Sequence, residues 1–283
     1  MKIGLILTGA PSDRLFDIVR RAEVLGYDSV WQGEHMVLPM VDKYEHPYGK
    51  VKIAPHTPFF EPFVQLAALA GATKTLRVCT GVILPPLRNV FHTGREIATL
   101  DVMSGGRLDV GIGVGWQPDE MELMGYNPKV RGAYTDEFLD ALYKLLSEHE
   151  PSFQGQHIAF EAVGFEPKPV QKPRPPILIG GDTPPAMRRA AKRGDGWYGH
   201  SDSPEQARER IGAMRAQLAE EGRDPAAFQY VVQCWKPPSA KDLEGFVAAG
   251  ATRLVVAPFS PSRGDPIEVI EAYAEQAGLS EAV

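Results

Sequence analysis

Two adjacent side chains in GEHMVLP, Glu34 and His35, carry the clearest proton-transfer chemistry in this chain. They directly follow an apolar run, Asp28–Trp31, that reads as a β-strand. Histidine ionises near pH 6.5, so His35 can give or take a proton at neutral pH; the plainer reading is that it orders the following loop by hydrogen bonds. A second segment, GGDTPPAMRRAA (180–191), ends a strand with two glycines, places Thr183 at a helix cap and puts Pro184 and Pro185 in the first turn. Uncapped N–H groups at a helix start attract anions, and glycine lets a phosphate approach the backbone. An ordinary capped turn has the same composition. Asp182 is the awkward residue, because a carboxylate repels a phosphate unless it turns away.

A third stretch is RLDVGIGVGWQPDE (107–120). Gly111 and Gly113 supply the first two positions of a dinucleotide-binding G-x-G-x-x-G, but Trp116 stands at the third. The glycines alternate with Ile112 and Val114, so Gly111, Gly113 and Gly115 share one face of an extended strand and do not curl around a turn. Something must approach that bare face closely, or the strand must bend there. In VCTGVILPP (78–86), alternation sets Cys79, Gly81 and Ile83 on one face and Thr80, Val82 and Leu84 on the other.

Several classes drop out. The net charge of −6 lacks the basic face that nucleic acid requires. Two cysteines, Cys79 and Cys234, cannot build a disulfide framework or a four-cysteine zinc site, and they suit a reducing cytoplasm. No H-x-x-x-H or clustered Cys/His spacing suggests a metal, and no G-x-S-x-G or G-x-x-x-x-G-K-[ST] is present. No run approaches the roughly 20 apolar residues of a membrane helix, and no targeting segment is visible. The expected partner is a small molecule, met in the cytoplasm.

The elements that must position these residues alternate along the chain. Apolar runs at Lys2–Leu7, Asp28–Trp31, Arg77–Leu84, Leu108–Val114, Ile177–Gly180, Gly196–Gly199, Phe228–Trp235 and Arg253–Ala257 are separated by helical stripes such as Leu15/Ile18/Val19/Ala22 and Phe138/Ala141/Leu142/Leu145. Eight such units favour a single α/β domain over residues 1–283, a closed (β/α)8 TIM barrel in preference to a doubly wound sheet. Two insertions interrupt the rhythm. His35–Phe60, after strand 2, falls at the catalytic end of a barrel and reads as a lid; Glu150–Pro176, before strand 5, contains an apparent hairpin, SFQGQHIAF.

Together, LGYDSVWQGEH, SGGRLDVGIGVGWQPDEMELMG and PPILIGGDTPPAMRRAAKRGDGWYG resemble the bacterial luciferase-like monooxygenase superfamily along nearly the whole chain. The I-G-G-x-T…R-R-A-A-x-x-G-D-G-W version most resembles the branch of oxidoreductases that use the deazaflavin coenzyme F420. The resemblance implies a TIM barrel with a non-proline cis peptide at Gly81–Val82, where Thr80, Gly81 and Val82 support the cofactor ring. It implies that Gly180, Gly181 and Thr183 hold the cofactor phosphate, and that Gly113 and Gly115 let the ring sit low. It sets His35 beside the reactive ring carbon, with Glu34 orienting it or acting as an acid. Arg88, Arg131 and Arg263 follow strands and could meet an anionic cofactor tail, Arg263 foremost because the eighth βα loop of a barrel often helps bind phosphate. Sugar-phosphate dehydrogenases of the branch have G-x-G-E where this chain has Trp116 after Gly115, which points to an apolar substrate walled by Trp116, Trp31 and Phe59. The expected activity is hydride transfer between F420 and a small apolar organic molecule. The alternatives are a flavin mononucleotide (FMN) monooxygenase or a flavin-binding protein without turnover. In relatives the faces of Pro62–Ala72 and Val90–Met103 pair, so a homodimer is expected.

Overall fold

Eight strands, each paired in parallel with the next, close into a barrel in the computed structural model, which describes residues 1–41, 43, 44, 46 and 53–280. They are β1 (Lys2–Ile6), β2 (Ser29–Gln32), β3 (Arg77–Ile83), β4 (Leu108–Ile112), β5 (Ile177–Gly180), β6 (Gly196–His200), β7 (Gln229–Cys234) and β8 (Arg253–Val256), with β8 returning to β1. The helices outside are α1 (Leu15–Val24), α2 (Pro62–Gly71), α3 (Val90–Ser104), α4 (Pro118–Leu123), α5 (Arg131–Ser147), α6 (Pro184–Arg193), α7 (Pro204–Glu220), α8 (Ala240–Ala249) and α9 (Pro266–Gln276). This is the single-domain (β/α)8 architecture that the alternation predicts. The insertion between β2 and α2 has neither helix nor strand among its described residues, and residues 42, 45 and 47–52 of the expected lid lie outside them. The second insertion carries the expected hairpin, Phe153–Gln154 against Ala159–Phe160.

Apolar side chains on alternate strand positions divide between two cores. Outward residues such as Leu5, Val30, Leu108, Ile179 and Leu254 pack against the helices, where Leu15, Ile18, Val19 and Ala22 of α1 form the buried stripe their spacing predicts. Inward residues, among them Ile6, Trp31, Cys79, Leu178 and Tyr198, fill the barrel. Trp31 is fully buried and stacks on Tyr198 with ring centroids 5.1 Å apart. Its indole occupies the space that a Cβ on Gly4 or Gly81 would need.

Also in the barrel, buried Arg253 bridges Asp28 and Asp109 at 2.7 and 2.8 Å, and Arg77 adds a second cation to Asp109. Charges so deep persist only when paired, since an isolated one is costly to desolvate. Burial alone would push the Asp109 carboxyl up, but Arg77 and Arg253 outweigh it and hold the group below its usual range.

Candidate active site

Glu34 and His35 emerge two and three residues beyond the end of β2, at the barrel face where βα loops gather. The Glu34 side chain is completely buried. It accepts the Leu84 N–H at 2.7 Å and the Arg88 Nε–H at 2.8 Å, and Arg88 Nη2 pairs with it as well. Arg88 also reaches Glu61 at 2.7 Å and Glu96 at 2.8 Å. Burial pulls this guanidinium down, yet the surrounding carboxylates carry it above its ordinary value. Both oxygens of Glu34 are therefore committed. Glu34 is thus a buried anchor that ties the end of β2 to the segment after β3, and neither oxygen is left over to orient His35. Arg88 is engaged by three carboxylates, and Arg131 donates to the Pro128 carbonyl at 2.9 Å.

His35 has a different setting. Its Nδ1 lies 2.9 Å from Glu120 Oε2, and both side chains are largely buried. The other oxygen of Glu120 accepts the Met36 N–H at 2.6 Å and the Val37 N–H at 3.3 Å. Two rings flank the imidazole, and others extend the cluster across the mouth. Phe59 stands edge-on at 4.8 Å and Trp116 at 6.2 Å. His46, from the insertion, touches Trp116 at 5.0 Å and Trp235 at 6.0 Å, and Trp235 meets His200 at 5.8 Å. The chain of rings Phe59, His35, Trp116, His46, Trp235 and His200 thus crosses the mouth from β2 to β6. Trp116 and Phe59 stand where an apolar wall was expected. Trp31 does not. It is sealed inside the barrel with its Nε1 on Ser29 Oγ at 2.9 Å, so the expected substrate contact becomes a packing residue beneath Gly81.

The glycine strand has its explanation in β3. The register between β3 and β4 slips between Thr80 and Ile83, which bulges the chain at the Gly81–Val82 peptide. That peptide is cis, as the resemblance implies. A Cβ on Gly113 would lie 2.7 Å from Val82 Cγ2, one on Gly180 would lie 3.0 Å from Val82 Cγ1, and one on Gly111 would strike the Thr80 carbonyl oxygen. The space beside Gly111 and Gly113 is therefore filled by β3 and not held open for a ligand. Gly115 adopts φ +76°, with the Met121 methyl where its Cβ would be. Thr80 is also withdrawn, being fully buried with its hydroxyl on the Gly111 carbonyl at 2.9 Å. Gly81 and Val82 remain partly exposed.

At the expected phosphate site, Gly181 takes φ +113°, a conformation that favours glycine. Its N–H is spent on the Tyr198 carbonyl at 3.1 Å, and Pro184 and Pro185 at the start of α6 have no N–H to offer. Thr183 is the N-cap residue, but its side chain caps nothing and is exposed. Donors at this entrance include the Asp182, Thr183 and Ala186 N–H groups and the Thr183 hydroxyl. Asp182 turns aside: Arg210 of α7 donates to it at 2.8 Å, and the His200 N–H lies 3.3 Å away. Burial raises the Asp182 carboxyl, against the pull of Arg210. Arg263 is elsewhere. Its Nη1 donates to the Ala257 and Pro258 carbonyls, and two strands, β6 and β7, separate β8 from β5. It lines a pocket of about 150 Å3 with Gly9, Pro11 and Phe259.

Two buried polar atoms near this mouth lack a hydrogen-bond partner among the described residues: Gln117 Oε1, an acceptor, and Trp235 Nε1, a donor. Leaving such atoms unpaired costs about 1–3 kcal/mol each, so they suit a bound molecule carrying both donor and acceptor groups. A cavity of about 420 Å3 between Arg174, Arg193, Asp195 and Arg223 lies at the opposite end, where β5 and β6 begin. It is lined by residues of the stabilising face, and the chemistry is not there.

Glu120, Gln117, Arg210 and Tyr198 escaped the sequence reading. Glu120 lies in the acidic turn of WQPDEMELMG, and Asp182 itself called for a counter-charge, which Arg210 supplies. For Tyr198 no sequence signal exists.

A closed parallel barrel with a histidine–carboxylate pair and an aromatic mouth at its C-terminal face has its polar chemistry where (β/α)8 barrels place their active sites. The profile of luciferase-like monooxygenases matches residues 4–235, and the chain belongs to that family. A protein of unassigned role from Mycobacterium tuberculosis (strain ATCC 25618 / H37Rv) is 32% identical over 182 residues, 63% of this chain and 64% of that one, so the match spans less than two thirds of the relative. Among solved structures, an F420-dependent secondary alcohol dehydrogenase in complex with an F420–acetone adduct superposes with TM-score 0.79 at 19% identity, covering 98% of each chain. The monooxygenase RslO1 from Streptomyces bottropensis superposes with TM-score 0.77 at 22% identity and the same coverage. At these identities the likeness establishes the fold. Among the described residues, no helix is long and apolar enough to cross a membrane.

Proposed function

We propose that this protein is an oxidoreductase that transfers a hydride between coenzyme F420 and a small, uncharged organic substrate, with His35 handling the accompanying proton. The observation that carries this reading is the His35–Glu120 pair set among Phe59, Trp116, His46 and Trp235. Glu34, Glu120 and Asp182 each have a partner within the protein, which favours a neutral substrate. The deazaflavin, when bound, supplies or accepts the hydride. Gln117 Oε1, Trp235 Nε1 and Val82 are the groups available to its ring, and the N–H groups and hydroxyl at Asp182–Thr183, with Arg210 beside them, are available to its phosphate. His35 Nε2 takes a proton from a substrate hydroxyl in the oxidative direction and returns it in the other. The rings exclude water and orient the substrate.

A second reading, an FMN monooxygenase in the same cavity, is favoured by the family description and by the RslO1 likeness. Fluorescence titration of the purified protein with F420 and with FMN separates them. Micromolar binding of F420 is expected, and binding of FMN without F420 refutes the first reading. Cofactor affinity with no turnover over a panel of alcohols, carbonyls and enones would leave a binding protein. Exposed Val64 on α2 and Val102 and Met103 on α3 support the homodimer, to be checked by light scattering. The free thiols Cys79 and Cys234 support a reducing, cytoplasmic setting.

A further inference from the structure

We propose that Glu120 is a positioning residue that fixes one tautomer of His35 and seats the start of the insertion with the same carboxylate. Its two oxygens do separate work. Oε2 faces His35 Nδ1 at 2.9 Å, while Oε1 accepts the Met36 and Val37 N–H groups. A carboxylate accepts hydrogen bonds and does not donate them, so Nδ1 carries the proton and Nε2 of the neutral ring is left as the acceptor. The imidazole cannot flip without losing this bond, and Phe59 and Trp116 press on it from the sides. Lys43, also in the insertion, pairs with the neighbouring Asp119 at 2.8 Å. The orientation of His35 and the seating of Met36 and Val37 on α4 thus depend on one carboxylate. A lifted loop root releases the ring, and a rotated ring frees an oxygen that the loop root can take.

The assignment rests on the reading of His35 as the proton-transfer residue, but its test uses ligand-free protein and stands or fails whichever cofactor binds. Ring nitrogen shifts of 15N-histidine-labelled wild type, measured above the titration of His35, are expected to report a protonated Nδ1 and a bare Nε2. The opposite tautomer, or a mixture, overturns the proposal. In Glu120→Gln the carboxamide keeps one acceptor oxygen and presents an NH2 group that cannot accept, so it cannot accept from both partners at once. Either the His35 tautomer shifts toward a protonated Nε2, with Nδ1 accepting from the NH2 group, or amide exchange at Met36 and Val37 rises at least tenfold. Retention of both signatures in E120Q also overturns it. If E120Q does not fold, judged by near-ultraviolet circular dichroism, the wild-type tautomer decides the matter alone.

Discussion

Replacing Gly113 with alanine sets a Cβ 2.7 Å from Val82 Cγ2, about an ångström inside normal contact. Overpacking of this kind costs about 1–3 kcal/mol, and the alanine recovers about 0.4–1 kcal/mol by restricting the unfolded chain. The net expectation for Gly113→Ala is a loss of up to about 2.6 kcal/mol. For a chain of this size that is a fall of up to roughly 10 °C in Tm, read by calorimetry or as a urea midpoint. The obstacle is a methyl group and not backbone, so shortening Val82 should remove it. In a Val82→Ala background the same Gly113→Ala change should be close to neutral, a coupling of about 1–2 kcal/mol in a double-mutant cycle. Gly111→Ala is the contrasting case. Its Cβ meets the Thr80 carbonyl oxygen, so Val82→Ala should rescue little of the damage. Equal costs for Gly113→Ala in both backgrounds would refute the idea that the glycine strand exists to receive β3.

Other outcomes follow from the same geometry. His35→Ala should lower kcat by about 10²–10⁴, the usual contribution of a positioned proton-transfer group, with cofactor affinity retained; turnover at the wild-type rate removes His35 from its role. Glu34→Gln leaves Arg88 with Glu61 and Glu96 but breaks the most buried pair, at a cost of about 3 kcal/mol in chemical denaturation; a loss below 1 kcal/mol contradicts the anchoring role. Because the folded-state pKa of Asp109 is depressed, its contribution is present above the ordinary carboxylate pKa near 4 and is lost as pH falls through the lower folded value. Arg253→Met should therefore raise the midpoint of acid unfolding, and an unchanged midpoint counts against it. Arg210→Met strips Asp182 of its counter-charge and should weaken F420 binding about tenfold in the titration, with no effect expected on a phosphate-free ring analogue.

How much of this was legible depended on where each partner lay. The barrel could be read because alternating apolar runs and helical stripes are local signals, and those of α1 and α5 are buried as spaced. His35 could be read because it directly follows an apolar run. Glu120 could not, since the bond that defines it joins residues 85 apart. Trp31 was misplaced by position. It looked like the rim of its strand, but β2 runs on to Gln32 and pairs Trp31 with Cys79 inside the barrel. The glycines announced missing side chains without saying what would occupy the room, because the occupant, Val82, comes from a neighbouring strand through a slip of register that no periodicity predicts.

Arg88 has a consequence for the history of the chain. Its guanidinium grips Glu34, immediately before the segment 35–60, and Glu61, immediately after it. The two feet of the long loop are therefore nailed to one post, itself fixed through Glu96 of α3 and through its own carbonyl to Tyr134 of α5. A loop closed at its base feels a change of length only weakly, roughly 0.6 kcal/mol for each doubling. Away from His35, Met36, Val37, Lys43, His46 and Phe59, which pack against the mouth, such a loop is an exchangeable cassette whose length the barrel beneath feels only weakly. The scaffold can thus be refitted for a new substrate from outside, one loop at a time, without renegotiating its core.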